Sequence, residues 1–342
     1  MMEADKPLVS VVMPVRNAGE TLQSAIDSLA AQTLKAWECI AVNDNSDDGT
    51  AAILAAAAAR DKRIVLVINP GTGIVDALNT GILKASAPVI ARMDADDISL
   101  PARLERQYDH LLGNPGTDLV SCLVEHGGSA RRQAGYARYV TWINTLITHD
   151  EIALNRFVES PLAHPAVMFR KKLVNEYGGY RNGNFPEDYE LWLRWLEAGV
   201  RMEKVPEKLF YWSDRDDRLS RTDARYAFMA FYSIKTGYLA RWLAQNNPHH
   251  PDVVVWGAGR TTRKRVELLQ QTGIRVTRYI DINPNREGTV IHGIPVSMPS
   301  GLPPPDKCFV LSYVGSAGAR ALIANELEKK GFIAGATWIP AA

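Results

Sequence analysis

"LVSVVMPVRNAGETLQSAIDSLAAQ", residues 8–32, joins an apolar run of strand length to a helical pattern through a short polar turn. Leu22, Ile26 and Leu29 fall on one helical stripe. Asn17 and Glu20 have the spacing of an N-cap and its N3 partner, so a helix is expected to open there. The alternation then repeats. Strands are predicted at 8–14, 37–43, 63–68 and 88–94, with helical segments between them, including the strong helix former "AAILAAAAAR". Strand and helix in this order imply an α/β layer around a mostly parallel sheet, and such sheets take ligands beyond the carboxyl ends of their strands.

Two acidic clusters directly follow predicted strands, "NDNSDDGT" at 43–50 and "DADD" at 94–97, so they should meet at one rim. Carboxylates this close raise one another's pKa and repel unless a cation joins them. Asp94 and Asp96, spaced D-x-D after a strand, suit a hard divalent ion, Mn²⁺ or Mg²⁺, which completes its shell with substrate phosphates. The alternative is an acidic helix start, because Ser99 and Pro101 precede a helical pattern; Asp97 is read as the N-cap of that helix. Asp44 stands where a carboxylate accepts from a base N–H. An Asx-rich turn accounts for Asn45, Ser46, Asp47 and Gly49 but less easily for Asp44.

The chain has 342 residues, which favours two domains, and a net charge of +1, which gives no sign of nucleic-acid binding. Cys39, Cys122 and Cys308 lack the spacing of a zinc site or disulfide framework. No stretch reaches the length of a membrane span. A cytoplasmic protein is expected, peripheral at most to the inner face of a membrane. Helices are predicted from "PEDYELWLRWLEAG", with Trp192, Trp195 and Leu196 on one face and Gly199 at its end, and from "RYAFMAFYSIKTGYLARWL". The Pro-rich stretch 245–251 is the candidate linker, dividing a domain of residues 1–245 from one of 246–342. The pattern restarts beyond it as a smaller Rossmann-like α/β domain, with Ala319, Leu322, Ile323 and Leu327 at helical spacing. Gly257, Gly259 and Asp281 resemble a dinucleotide fingerprint, with Thr262 at the third glycine position.

"VSVVMPVRNAGETLQSAIDSLAAQT", "WECIAVNDNSDDGT", "GTGIVDALNTGI", "ARMDADDISLPARLERQ" and "PEDYELWLRW", in that order, resemble glycosyltransferase family 2, whose fold is GT-A, over residues 8 to about 235. The resemblance implies inverting transfer of a sugar from a nucleotide-diphosphate donor, a UDP-sugar foremost, to a hydroxyl of a glycan or lipid-linked acceptor. Bacterial surface polysaccharide or lipopolysaccharide synthesis is the implied setting. By position, Asp44 matches the residue at the donor base and Pro14 opens the loop beneath the nucleotide. Asp96 matches the direct metal ligand, with Asp94 at the ribose and metal side. Asp188 resembles the catalytic base, with Glu187 as the alternative. His164 falls where relatives often carry an active-site His. "YWSDRDDRLSR" occupies the place of a Q-x-x-R-W motif without its Gln or Trp, leaving Arg218 to meet diphosphate oxygens. Asn43 and Asn45 stand where many relatives have Asp and Gly.

Inversion by single displacement independently requires a base opposite the leaving diphosphate, a task Asp188 fits; a helix-start acid is the bland alternative. The segment 221–242, basic and aromatic, suits either an interfacial helix facing a lipid-linked acceptor or a helix buried between domains. Two further functions compete. One is an NAD(P)-dependent sugar-nucleotide oxidoreductase run by the C-terminal domain, and the other a non-catalytic sugar-nucleotide-binding assembly protein. A homo-oligomer stays open.

Overall fold

The computed structural model describes residues 6–129, 133–215 and 218–342; residues 1–5 of the N-terminal run and Asp216 and Asp217 of the arginine-rich stretch lie outside them. Two compact units emerge. The first comprises residues up to Ile152 together with Leu162–Gly183 and Glu187–Asp223, and the second Ala153–Pro161, Asn184–Pro186 and Ala224–Ala342.

The first unit is built on strands β1 (Val9–Val15), β2 (Trp37–Asn43), β3 (Ile64–Ile68), β4 (Val89–Arg92), β5 (Ile98–Ser99), β6 (Leu119–Gly127), β7 (Met168–Arg170) and β8 (Met202–Ser213). They form one sheet in the order β3-β2-β1-β4-β7-β6-β8-β5. The pairs β3/β2, β2/β1 and β1/β4 are parallel, whereas β7 runs antiparallel to both β4 and β6. Every residue of β1 is buried, as expected of a central strand covered on both faces. The predicted stripe Leu22, Ile26 and Leu29 enters the same core as Val9, Val11 and Met13.

The helix after β1 opens later than its spacing suggested. It spans Leu22–Ala30 with Thr21 at its N-cap, and Asn17 instead takes a positive φ of 49° and accepts from the Asp47 N–H. Pro14 does not open the following loop but lies inside β1, in register with Val42. Pairing with β4 has ended at Val12, so the N–H that proline lacks is not needed on that side.

Because β1 has β2 on one side and β4 on the other, the chain reverses its order there, and the carboxyl ends at such a switch point form a crevice. Arg103 holds this rim from beneath. Its buried guanidinium donates to the carbonyls of Arg92 (2.7 Å) and Pro165 (3.1 Å) and to Gln107 Oε1 (3.0 Å), and packs 4.6 Å from the Phe210 ring. Burial pulls its pKa down to about 10, against the opposing influence of Cys122 and Asp97.

The second unit holds the helix Phe228–Asn246, joined by residues 247–251 to a six-stranded sheet. Its strands are β9 (Asp252–Trp256), β10 (Arg275–Ile280), β11 (Val290–Ile291), β12 (Ile294–Ser297), β13 (Val310–Ser312) and β14 (Trp338–Pro340), in the order β11-β12-β10-β9-β13-β14. All pairs but the edge hairpin β11/β12 are parallel. The helix Ala317–Lys329 buries Ile323 and Leu327 against this sheet, but Leu322, expected on the same face, is 71% exposed. No described helix is long and apolar enough to cross a membrane.

Arg103→Ala is expected to lower the stability of the first unit by about 3 kcal/mol, because it strands several buried acceptors at once. Urea unfolding followed by tryptophan fluorescence measures this; a change below about 0.5 kcal/mol would show that Arg103 does not hold the rim.

Candidate active site

The loop after β4 carries the acidic cluster. One carboxylate oxygen from each of Asp94, Asp96 and Asp97 lies within 4.8 Å of the others. Asp97 is not the cap of the next helix. That helix starts at Arg103 with Ala102 at its N-cap, and Ile98 and Ser99 intervene as β5, paired with Tyr211 and Phe210 of β8. The pairing draws the end of β8 to the acids. Ser213 donates its N–H to Asp97 Oδ1 (2.8 Å) and its hydroxyl to the Asp96 carbonyl.

Asp97 Oδ2 is buried without a hydrogen-bond partner. Burial first, and then the Asp94 and Asp96 charges, push the Asp97 carboxyl well above the usual range. The same causes, burial and Asp94, lift Asp96 to about 6. Three hard oxygen donors around an orphaned buried carboxylate oxygen fit a divalent cation.

Arg92 lies under this loop, 3% exposed, and is ion-paired with Asp94 Oδ1. Burial opposes its charge, but Asp94, Tyr180 and Asp97 raise its pKa above the ordinary value. From this arginine the site extends to the second group of predicted residues. Tyr180 Oη lies 2.7 Å from His164 Nε2, and His164 makes an edge contact with the Trp192 ring at 5.9 Å. Burial and Arg92 hold the His164 pKa well below its usual value, so the imidazole is neutral. Burial raises the Tyr180 phenol; Arg92 opposes this, and the charges of Asp188, Glu187 and Asp94 add to it.

Asp188 and Glu187 open the helix Glu187–Glu197. Asp188 accepts from the Tyr189 N–H at 2.8 Å. Its pKa rises to about 7, chiefly through burial and then through the neighbouring Glu187 charge. The same helix positions Tyr180: Arg194, paired with Glu190 at 2.9 Å, donates to the carbonyls of Tyr177, Gly178 (3.0 Å) and Gly179 (2.7 Å). Asn79 completes the clamp, donating to the Tyr180 carbonyl (2.9 Å) and accepting its N–H (3.0 Å).

Arg218 packs 4.6 Å from the Tyr136 ring and 4.8 Å from that of Trp212. Tyr136, Asp97 and Asp94 together raise its pKa against burial. The enclosed carboxylate of Asp214 gathers His126 (2.9 Å), Arg221 (2.6 Å) and Arg218 (3.5 Å), so that the segment after β8 is fastened to the end of β6.

Asp44 sits at the end of β2 on the same rim, 3% exposed. Its carboxylate accepts from Asn69 Nδ2 (2.7 Å) and the Gly73 N–H (2.9 Å), with Arg16 at 3.7 Å. Gly73 presents that N–H with φ 93°, a conformation that a side chain would strain. Asn45, in the place of a glycine, has φ 54°, which asparagine tolerates, and the Asn43 side-chain oxygen accepts from the Ser46 N–H (3.2 Å).

In the second unit, Asp281 Oδ2 takes the Ala258 N–H (2.9 Å) and Arg286 (2.6 Å), and Oδ1 takes the Asn283 N–H (2.9 Å). A ribose diol would have to displace these donors. Gly257, at φ 110°, stands against Thr262, whose hydroxyl donates to the Tyr313 carbonyl (3.2 Å); Gly259 caps the next helix.

Arg92, Tyr180 and Ser213 escaped the sequence reading. Only Arg92 left a signal, a charge inside an apolar strand, which announces a buried partner.

The family model for glycosyl transferase family 2 matches residues 10–178. An uncharacterized glycosyltransferase of Methanocaldococcus jannaschii is 30% identical over 242 residues, covering 68% of this chain and 80% of the relative. An Escherichia coli relative named UDP-Gal:alpha-D-GlcNAc-diphosphoundecaprenol beta-1,3-galactosyltransferase is 27% identical over 227 residues, covering 66% of this chain and 78% of its own. The fold resembles that of a Staphylococcus aureus TarS fragment, with a TM-score of 0.51 at 14% identity, over 77% of this chain and 79% of that one. A sheet with acids gathered at its switch point, the family-model match and a relative 30% identical over most of its length lead to one assignment: the chain belongs to glycosyl transferase family 2 and is a glycosyltransferase.

Proposed function

We propose that the chain transfers a sugar, with inversion, from a nucleotide-diphosphate donor to a hydroxyl acceptor in surface polysaccharide synthesis. The observation that carries this reading is the cluster of Asp94, Asp96 and Asp97 oxygens within 4.8 Å of one another at the switch point, with the buried Arg92 ion-paired to Asp94. A UDP-sugar donor and a lipid-linked acceptor are supported by the similarity to the Escherichia coli galactosyltransferase.

Asp188 is the base. It removes the proton of the acceptor hydroxyl as that oxygen bonds to the anomeric carbon, and the bond from that carbon to the diphosphate breaks. A carboxyl with a pKa of about 7 is well matched to this work near neutral pH. Glu187 keeps that pKa high, and neutral His164 holds the Tyr180 hydroxyl beside the acids. Asp94, Asp96 and Asp97 would hold Mn²⁺ or Mg²⁺, which when bound supplies positive charge to the departing diphosphate. Arg218 is assigned to diphosphate oxygens, Asp44 to the donor base, and Pro14 to the strand beneath the nucleotide.

Asp188→Asn should lower kcat by about 10²-fold or more while donor affinity stays within about twofold. Unimpaired turnover would contradict the assignment. In the wild type, kcat/KM should rise with pH through about 7, as the base ionises.

The same group sets a stability trend of known sign. Its folded pKa of about 7 exceeds the unfolded value of about 3.9, so ionisation opposes folding, increasingly from pH 4 to 7 and fully above 7. The melting temperature of Asp188→Asn relative to wild type should therefore climb between pH 4 and pH 8. A constant gap in thermal unfolding scans would contradict it.

A further inference from the structure

Strands β6 and β8 stay paired to their last residues, with His126 opposite Trp212 and Gly127 opposite Ser213. At this end, three consecutive residues serve two partners. Ser213 is committed to the acidic loop, donating its N–H to Asp97 Oδ1 (2.8 Å) and its hydroxyl to the Asp96 carbonyl. Its two neighbours hold Arg218 instead. The Trp212 ring lies 4.8 Å from the guanidinium and Asp214 Oδ1 3.5 Å from Nη1, while the Tyr136 ring packs at 4.6 Å. Arg218 and the acidic loop are therefore tied to one short run of chain.

The Asp214 side chain is fully enclosed, at 0% exposure, and is answered by Arg221 (2.6 Å), Arg218 (3.5 Å) and the His126 ring (2.9 Å). Its backbone is fixed as well, since Gln133 Nε2 donates to the Asp214 carbonyl at 2.9 Å. A Cβ on Gly128 would stand 2.8 Å from Asp214 Cβ, so the absence of a side chain there lets the end of β6 come this close. A buried ion pair adds little net stability over apolar residues of the same volume, but it sets geometry. Arg218 Nη1 is buried and makes no hydrogen bond, so the charge is held in place while a donor of the guanidinium stays uncommitted.

We propose that Asp214 is a positioning residue. It fixes the Arg218 guanidinium relative to the Asp94/Asp96/Asp97 loop, so that the diphosphate of a donor meets the loop and the arginine together. The inference rests on the reading of Arg218 as a contact to diphosphate oxygens, and it adds the group that makes that contact selective for a diphosphate over a monophosphate.

The test is equilibrium binding to the full chain in Mn²⁺, comparing a nucleoside diphosphate with its own monophosphate. Of UDP, GDP, CDP and dTDP, the one that the wild type binds most tightly is used. Arg218→Gln should weaken the diphosphate at least about tenfold and leave the monophosphate within about twofold. Asp214→Asn, which keeps the volume and removes the charge, should weaken the diphosphate about fivefold or more with the monophosphate again within about twofold. His126→Ala, which loosens the same carboxylate from the β6 side, should show the same selective loss to a smaller degree, and circular dichroism selects the variants that fold. In the Arg218→Gln background, Asp214→Asn should add less than about twofold, because it acts through the arginine. A merely structural role would weaken both nucleotides alike. The inference alone is overturned if Arg218→Gln loses the diphosphate selectively while every folded Asp214 or His126 variant keeps it, weakens both nucleotides equally, or binds the diphosphate more tightly, as a carboxylate that only neutralises the arginine requires. Unchanged diphosphate binding in Arg218→Gln, or no binding of any of the four by the wild type, removes the underlying reading and the inference with it.

Discussion

The site depends on one ion pair, Arg92 with Asp94. Three carboxylates share a short loop with ligand oxygens inside 4.8 Å of one another. At an effective dielectric constant of about 20, two unit charges at that distance repel by roughly 3–4 kcal/mol. A single buried arginine committed to Asp94 cannot relieve all three. The strain appears as reluctance to ionise, with Asp96 lifted to about 6 and Asp97 further. A divalent cation placed among these oxygens would relieve that repulsion. Arg92 also carries the field outward to Tyr180, His164 and Asp188, so the acid loop and the proposed base are parts of one charge network.

Much of this architecture is legible in the sequence, because strands β1 to β4 combine strong apolar runs with immediate turn chemistry. Parallel pairing then brings their carboxyl ends to a common rim, and the acids after β2 and β4 follow. What local spacing misreads is decided by distant partners. Asn17 has the right interval for a helix cap, yet its side chain is claimed by Asp47 across the rim. Asp97 looks like a cap, yet β5 is drawn into register with β8 and turns it toward Ser213. Tyr180 reaches the site because Arg194 and Asn79 clamp its loop, contacts that no periodicity announces.

The two units share one topological device. Each has a mostly parallel stretch of sheet whose order reverses next to its first strand, with helices starting at the reversal. In the first unit carboxylates collect there, with oxygens of Asp94, Asp96 and Asp97 inside 4.8 Å of one another. The acidic half of the dinucleotide pattern, Asp281, serves the fold by bonding Ala258 and Asn283. Its place in the sequence suggests a ribose partner, whereas its hydrogen bonds describe a turn brace.

The central claim, that the loop after β4 holds a divalent cation shared with a nucleoside diphosphate, is tested most directly by electron paramagnetic resonance of Mn²⁺. Titrating the full chain in the presence of UDP, GDP, CDP or dTDP should deplete the free Mn²⁺ signal to one ion per chain, beyond what the nucleotide alone removes. Asp96→Ala should abolish that depletion. Free Mn²⁺ that stays the same with and without the protein for all four nucleotides would contradict the account.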